Sequence, residues 1–177
     1  LQADALEQMM RAHAQQMGVF LWMLVGSGKT LTVLKYIHQT HCVRRVVWAL
    51  PASAIASVGR EITQFGWSWT VLASTLGRAK KYAQCTINRT LQDNCITLVE
   101  HDDVRNLYRD LAPQMLDTAF VYDEVHKAMA SKTQRTAYAL KLARLAKQLV
   151  CLTGTPIVKS TAYPLMEWLL SLIHISE

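Results

Sequence analysis

The residues best suited to chemistry begin with a short loop of glycines, a serine and a lysine. Gly26-Ser27-Gly28-Lys29-Thr30 follows an apolar run and precedes a helical pattern, which is the context of a phosphate-binding loop. The glycines let backbone N–H groups turn toward phosphates, and the helix N-terminus adds its positive dipole. We therefore expect Lys29 to neutralise nucleotide phosphates and the Thr30 hydroxyl to bind Mg²⁺. Met23 stands where the usual GxxxxGKS/T pattern has its first glycine.

A pair of carboxylates follows a second apolar run. Residues 119–122 lead directly into Asp123 and Glu124. The carboxyl ends of parallel strands are where α/β sheets bind ligands, so these acids are expected beside the phosphate loop. Asp123 would hold Mg²⁺, directly or through water, and Glu124 would orient and deprotonate an attacking water. An acidic pair alone has little specificity, but together with the upstream loop it predicts phosphoryl transfer.

Polar residues near a third apolar run complete the set. Thr153, Gly154 and Thr155 end that run, and His126 lies two residues after Glu124. Threonine and glycine there also suit a simple turn, and an isolated histidine is more often structural than chemical. Their position at the same predicted sheet edge favours a role in sensing the phosphate and coupling it to movement.

Short β-rich runs alternate with helical patterns, which predicts an α/β fold with a central parallel sheet flanked by helices. Helices are expected up to about Gln16 and at Lys29–Thr40, Ser53–Phe65, Asp102–Leu111 and Thr133–Ala146, with a weaker one near Arg78–Gln84. The predicted strands are Val19–Leu24, Arg45–Leu50, Thr70–Ser74, Cys95–Glu100, Ala119–Asp123 and Gln148–Thr153.

Two helix starts have recognisable capping patterns. Ser131-x-x-Gln134 has the form of a capping box. Asp102 and Asp103 place carboxylates where the positive end of the next helix favours them. Capping is a better interpretation of these two aspartates than catalysis.

The motifs, in this order and context, resemble those of the first RecA-like lobe of superfamily-two helicases, and within them the Swi/Snf-type DNA translocases. In the segment similar to motif Ia, Ser57 and Val58 stand where the family has Asn and Trp. The likeness covers nearly all of residues 2–169. The matching segments are Gly26–Thr30 with motif I, Pro51–Phe65 with motif Ia, Asp123–His126 with the DEAH form of motif II, and Leu152–Ile157 with motif III.

The resemblance implies a function and partners. It implies ATP and Mg²⁺ as cofactors and an ATP-hydrolysing translocase in the full-length parent protein. Gln2 resembles a family glutamine that contacts adenine, and Pro51, Ala52 and Ser53 resemble residues that grip nucleic acid, with double-stranded DNA expected. No segment resembles the second lobe, which carries an arginine finger. We therefore expect this chain alone to be nearly inactive as an ATPase.

Composition and charge are consistent with a soluble, basic domain. The 177 residues are 51% hydrophobic, which argues against disorder. The net charge of +6 suits a polyanionic partner, and basic residues between Lys132 and Lys147 would form either a phosphate-tracking stripe or a solvated helix face. No apolar run approaches the roughly 18 residues of a membrane span. The four cysteines lack metal-ligand spacing and are expected to be reduced in an intracellular protein: Cys42, Cys85, Cys95 and Cys151.

The chain ends suggest a fragment. Residues 170–177, LSLIHISE, are what a sequencing-adapter DNA would encode, so we expect a RecA-like lobe over 1–169 and a non-native tail. Three other functions stay open: a stand-alone nucleotide-binding or scaffold module without motor activity, the translocase subunit of a restriction or viral enzyme, and an unrelated P-loop NTPase or kinase. Motifs of a second lobe beyond residue 169 would separate the motor from the module.

Overall fold

Six parallel strands form the centre of the computed structural model, which describes residues 2–14, 18–24, 26–65, 69–74, 91–126 and 133–155. The strands are β1 (Val19–Trp22), β2 (Arg45–Leu50), β3 (Thr70–Ser74), β4 (Cys95–Glu100), β5 (Thr118–Tyr122) and β6 (Gln148–Thr153). They lie in the order β1-β6-β5-β2-β4-β3, and every pairing is parallel. The predicted α/β architecture is therefore confirmed.

Helices cover both faces of the sheet, as a wholly parallel sheet requires. The helices are α1 (Gln2–Ala14), α2 (Lys29–Thr40), α3 (Ala52–Gln64), α4 (Val104–Leu111), a 3₁₀ helix (Ala112–Asp117) and α5 (Gln134–Leu145). One face packs against α1, α2 and α3. The other packs against α4, the 3₁₀ helix and α5.

Strand β2 shows why the sheet is buried on both sides. Val46, Trp48 and Leu50 point into the core that contains α1, α2 and α3. Val47 and Ala49 alternate with them and join the opposite core. All five side chains are fully buried. A strand with apolar residues on both faces belongs inside a parallel sheet, which is where β2 lies.

The predicted bounds agree for four strands and shift for two. Strands β2, β3, β4 and β6 have the predicted limits. Strand β1 ends two residues early, at Trp22, because residues 23 and 24 already belong to the loop that leads to Lys29. Strand β5 begins at Thr118, which pairs with Arg45, and it ends before Asp123 because a turn starts there.

Two local expectations need correction. Helix α5, predicted at Thr133–Ala146, has Thr133 as its N-cap, and the Thr133 side chain accepts from the Thr136 N–H. The cap is therefore not the predicted Ser131, which lies outside the described residues. Asp103 is the N-cap residue of α4, yet its side chain makes no capping hydrogen bond. Asp102 instead accepts from Arg135 Nη1 at 2.9 Å.

The remaining expectations concern short helices, the cysteines and membrane spans. The 3₁₀ helix, with its early proline, was not predicted, and the weak helix near 78–84 lies outside the described residues. Cys42, Cys95 and Cys151 are free thiols, whereas Cys85 is not described. No described helix has the length and apolar character that a membrane crossing requires.

Candidate nucleotide site

Three motif segments meet at the carboxyl edge of adjacent strands. β6 lies between β1 and β5 and pairs with both. The Met23 N–H, just after β1, donates to Thr153 O at 3.2 Å. The Val125 N–H, just after β5, donates to Leu152 O at 2.9 Å. Consecutive carbonyls of β6 thus hold the start of the phosphate loop and the acidic turn side by side, as the sequence predicts.

The phosphate loop depends on glycine conformation at two positions. Gly26 and Gly28 have φ of 79° and 85°, in the left-handed region that side chains disfavour. Gly28 is also the N-cap of α2. The Ser27 N–H donates to Leu24 O at 3.2 Å, which closes the turn. The loop therefore has the backbone form that delivers N–H groups to an anion at a helix start.

Lys29 and Thr30 lie at the first turn of α2, but their side chains go to different partners. Lys29 Nζ donates to Met23 O at 3.1 Å and to Leu24 O at 3.2 Å, so the ammonium lies across the loop itself. Thr30 is buried, and its Oγ1 donates to Glu61 Oε2 of α3 at 2.7 Å. The contact with Glu61 was not predicted, although Glu61 lies within the segment Pro51–Phe65 that resembles motif Ia.

Gln2 reaches the phosphate loop from α1. Its Nε2 donates to Ser27 O at 2.9 Å, and its amide would contact a Cβ placed on Gly28. Helix α1 is anchored to the sheet by Gln148 Nε2, which lies 3.0 Å from His13 Nδ1 and 3.4 Å from Tyr36 Oη. The structure therefore places Gln2 beside motif I.

The acidic turn after β5 has a strained backbone. The Asp123 N–H donates to Ala49 O at 2.8 Å, which continues the ladder with β2. Asp123 Oδ1 accepts from the Glu124 N–H at 2.8 Å. Glu124 has φ of 50°. This conformation is uncommon for residues other than glycine and costs energy to maintain. The turn directs two adjacent carboxylates to different surroundings.

His126 connects the acidic turn with the residues after β6. Its Nδ1 lies 2.9 Å from Thr153 Oγ1. Thr153 Oγ1 donates to Thr155 O at 3.1 Å and accepts from the Thr155 N–H at 3.2 Å. All these contacts are satisfied together when His126 Nδ1 carries the hydrogen and donates it to Thr153. His126, Thr153 and Thr155 are thus in contact, and Gly154, which lies between the two threonines, is buried.

The Glu124 carboxylate lies beside His126. Its Oε2 is 3.1 Å from His126 Nδ1, and within the described part of the chain this buried oxygen makes no hydrogen bond. The Glu124 side chain as a whole is 27% exposed, so it remains within reach of solvent.

The site otherwise fits a nucleotide with Mg²⁺. Gly26 has open space where a Cβ would point, so the loop is unobstructed on that side. Lys29 supplies an ammonium, while Thr30 and Asp123 supply the hard oxygen donors that Mg²⁺ prefers. No cluster of three or more His, Cys, Asp or Glu side chains in the described ranges forms a separate protein-only metal site.

The segment expected to contact nucleic acid lies at the end of β2. Pro51 is extended, with φ of −61° and ψ of 144°, and is the N-cap of α3. The Ala54 N–H donates to Pro51 O at 2.9 Å, and Ser53 is exposed. Pro51, Ala52 and Ser53 therefore occupy the same edge of the sheet as the phosphate loop, two strands from β6.

The basic residues of α5 do not form a simple stripe. Arg135 pairs with Asp102. Lys141 Nζ lies 4.8 Å from the Tyr138 ring centroid and 5.9 Å from that of Tyr108. Two of the cations thus have partners within the domain, which favours the solvated-face interpretation for this helix.

Comparisons with known proteins identify the class of this domain. A family model described as "Type III restriction enzyme, res subunit" matches residues 1–158. The six-stranded parallel sheet flanked by helices is that of a RecA-like lobe. The chain belongs to the Type III restriction enzyme res subunit family. A search of curated proteins gave no match.

Solved structures agree on the fold. The Sulfolobus solfataricus SWI2/SNF2 ATPase core in complex with dsDNA superposes with a TM-score of 0.67 at 18% identity, over 97% of this chain and 34% of that one. A nuclease-deletion mutant of the Type ISP restriction-modification enzyme LlaGI, in complex with a DNA substrate mimic, gives 0.63 at 15% identity, over 88% and 17%. The chain thus spans about a third or less of either structure.

Proposed function

We propose that this chain is the ATP-binding lobe of a DNA-dependent ATPase that couples hydrolysis to movement along nucleic acid. The observation that carries the proposal is the meeting of the phosphate loop, the acidic turn and Thr153 on three adjacent strand ends. Structural neighbours in complex with DNA support nucleic acid as the partner. We propose double-stranded DNA, and a second lobe that closes over the nucleotide.

Each site residue has a role that its surroundings suit. Lys29 leaves the Met23 and Leu24 carbonyls and neutralises phosphate charge, while the loop N–H groups orient the phosphates. Thr30 and Asp123 would hold Mg²⁺, which when bound would supply positive charge for phosphoryl transfer. Gln2, beside Ser27 and Gly28, contacts the base.

Glu124 is the proposed general base. Its side chain is 27% exposed, and the carboxylate accepts a hydrogen bond from water, orients it and takes its proton as the water attacks. The sequence Asp123-Glu124-Val125-His126 resembles the DEAH form of motif II and supports this role. His126, Thr153 and Thr155 pass changes at Glu124 to β6 and the segment that follows it.

A second candidate function is the translocase subunit of a restriction enzyme. The family match over residues 1–158 and the similarity to a restriction-modification enzyme favour it. Both candidates share the ATP site and differ in what the second lobe and accessory domains do.

Nucleotide binding by this chain tests the proposal directly. Lys29→Ala should weaken binding of a fluorescent ATP analogue by about 10-fold or more, because a charge-assisted contact with phosphate contributes about 1.5–3 kcal/mol. Lys35→Ala is the matched control, since Lys35 is an exposed lysine on the same helix. Equal affinities for wild type and Lys29→Ala in fluorescence anisotropy would contradict the assignment.

A further inference from the structure

The hydrogen bond between Thr30 and Glu61 links the first turn of α2, directly after the phosphate loop, to a second helix, α3. Glu61 lies on α3, 31 positions after Thr30, and accepts from its hydroxyl at 2.7 Å. Thr30 is only 8% exposed. The pair joins α2 to α3 beneath the loop.

The Thr30 hydroxyl can donate a hydrogen bond to Glu61 and bind a cation at the same time. Oγ1 carries one hydrogen and two lone pairs. Donation to Glu61 occupies the hydrogen and leaves the lone pairs for a cation. A carboxylate acceptor also makes the hydroxyl oxygen a better donor of electron density, as carboxylates do when they hold the ligands of bound metals.

We propose that Glu61 is a positioning residue: it holds the Thr30 hydroxyl ready to bind Mg²⁺ and connects the cation site to α3. This inference rests on the proposed ATP site.

The location of Glu61 on α3 connects the Thr30 hydroxyl to the segment proposed to contact nucleic acid. The helix is held in the core by Ile55, Val58 and Ile62. It begins directly after Pro51, the first residue of the segment proposed to contact nucleic acid, and Glu61 lies roughly 13 Å along it at 1.5 Å per residue. A displacement of the helix start therefore moves Glu61, and the hydroxyl it holds, as one unit.

The test measures how much Mg²⁺ tightens nucleotide binding. A fluorescent ATP analogue is titrated into the purified chain in excess Mg²⁺ and in EDTA, and the ratio of the two affinities is the Mg²⁺ gain. Glu61→Ala should lower this gain about 10-fold or more, as loss of a residue that holds a metal ligand does. Affinity in EDTA should change by less than about 2-fold, because without the cation Glu61 has no ligand to position.

Two further variants separate positioning from charge and from packing. Glu61→Gln keeps an acceptor oxygen and should retain most of the gain. Gln64→Ala, an exposed change on the same helix, should leave both affinities unchanged. If circular dichroism shows that Glu61→Ala does not fold, Glu61→Met fills similar space without an acceptor and carries the same expectation.

A double-mutant cycle shows whether Glu61 acts through Thr30. On a Thr30→Val background, Glu61→Ala should cause no further loss of Mg²⁺ gain. An unchanged gain in Glu61→Ala, the same loss on the Val background, or equal losses in Mg²⁺ and EDTA would overturn the inference. A wild-type chain that binds no nucleotide at all would instead overturn the proposed function, and the inference with it.

Discussion

At the residue scale, the backbone requires glycine at Gly28 but not at Gly59. Gly28 has φ of 85° beside the Gln2 amide. Gly59 lies within α3, and a Cβ there would meet Leu98 Cδ1 at 3.5 Å, an ordinary contact. The first position needs glycine because of its backbone, whereas the second does not.

The two glycine variants should therefore change stability in opposite directions. Gly28→Ala should lower the free energy of unfolding by about 1–2 kcal/mol, the cost of a left-handed non-glycine residue. Gly59→Ala should raise it by about 0.5–1 kcal/mol, because alanine favours the helix. Urea unfolding of both variants measures the difference; a Gly28→Ala protein as stable as wild type would contradict the assigned loop conformation.

A site residue could be predicted from the sequence where neighbouring residues determine its position, and not where packing between distant elements does. Lys29 and Asp123 were predictable because the sequence beside each defines a strand end and a loop. The Glu61 contact was not, because it depends on how α2 packs against α3. The strained φ of Glu124 also has no sequence signature, since a turn tied to β6 imposes it.

At the scale of elements, buried strands were predicted best. Strands β2, β4 and β6 are apolar on both faces, so their bounds coincide with the ends of apolar runs. Helix starts depend on one or two hydrogen bonds and were less predictable. Ser131 and Thr133 both have side chains that can cap a helix. Thr133 is the N-cap because its backbone is extended and the helix begins at the next residue.

The cap of α5 gives a prediction at this scale. Thr133→Ala should lower the free energy of unfolding by about 1 kcal/mol, because the Thr136 N–H loses its side-chain acceptor. Thr63→Ala is the control, since that exposed hydroxyl only bonds back to Gly59 O within α3. Thermal unfolding should separate the two variants by several degrees; equal melting temperatures would show that Thr133 does not cap the helix.

For the whole molecule, a buried thiol and two buried phenols predict a loss of stability at high pH. Burial raises the pKa of the Cys151 thiol from its ordinary 9.0 to about 12. Burial also raises the pKa values of the Tyr36 and Tyr122 phenols. The folded state keeps these protons after the unfolded chain has lost them, so stability is complete below about pH 9 and declines above it.

The free energy of unfolding, measured by urea unfolding, should therefore fall as pH rises above about 9, by up to about 1.4 kcal/mol per pH unit for each group, and the urea midpoint should fall with it. The thiol loses its proton first in the unfolded chain, and Cys151→Ala should flatten the first part of this decline. A midpoint that stays constant or rises from about pH 8 to pH 11 would contradict the burial of these groups.

The strand order has a consequence for the order of events during synthesis. β1 is made first, yet its partner among the described strands is β6, whose last residue is Thr153. Chains fold from the N-terminus as they emerge, at about 5–20 residues per second. β1 and the phosphate loop therefore wait at least several seconds for β6, so the sheet edge where the three motif segments meet is completed only after Thr153 has been made.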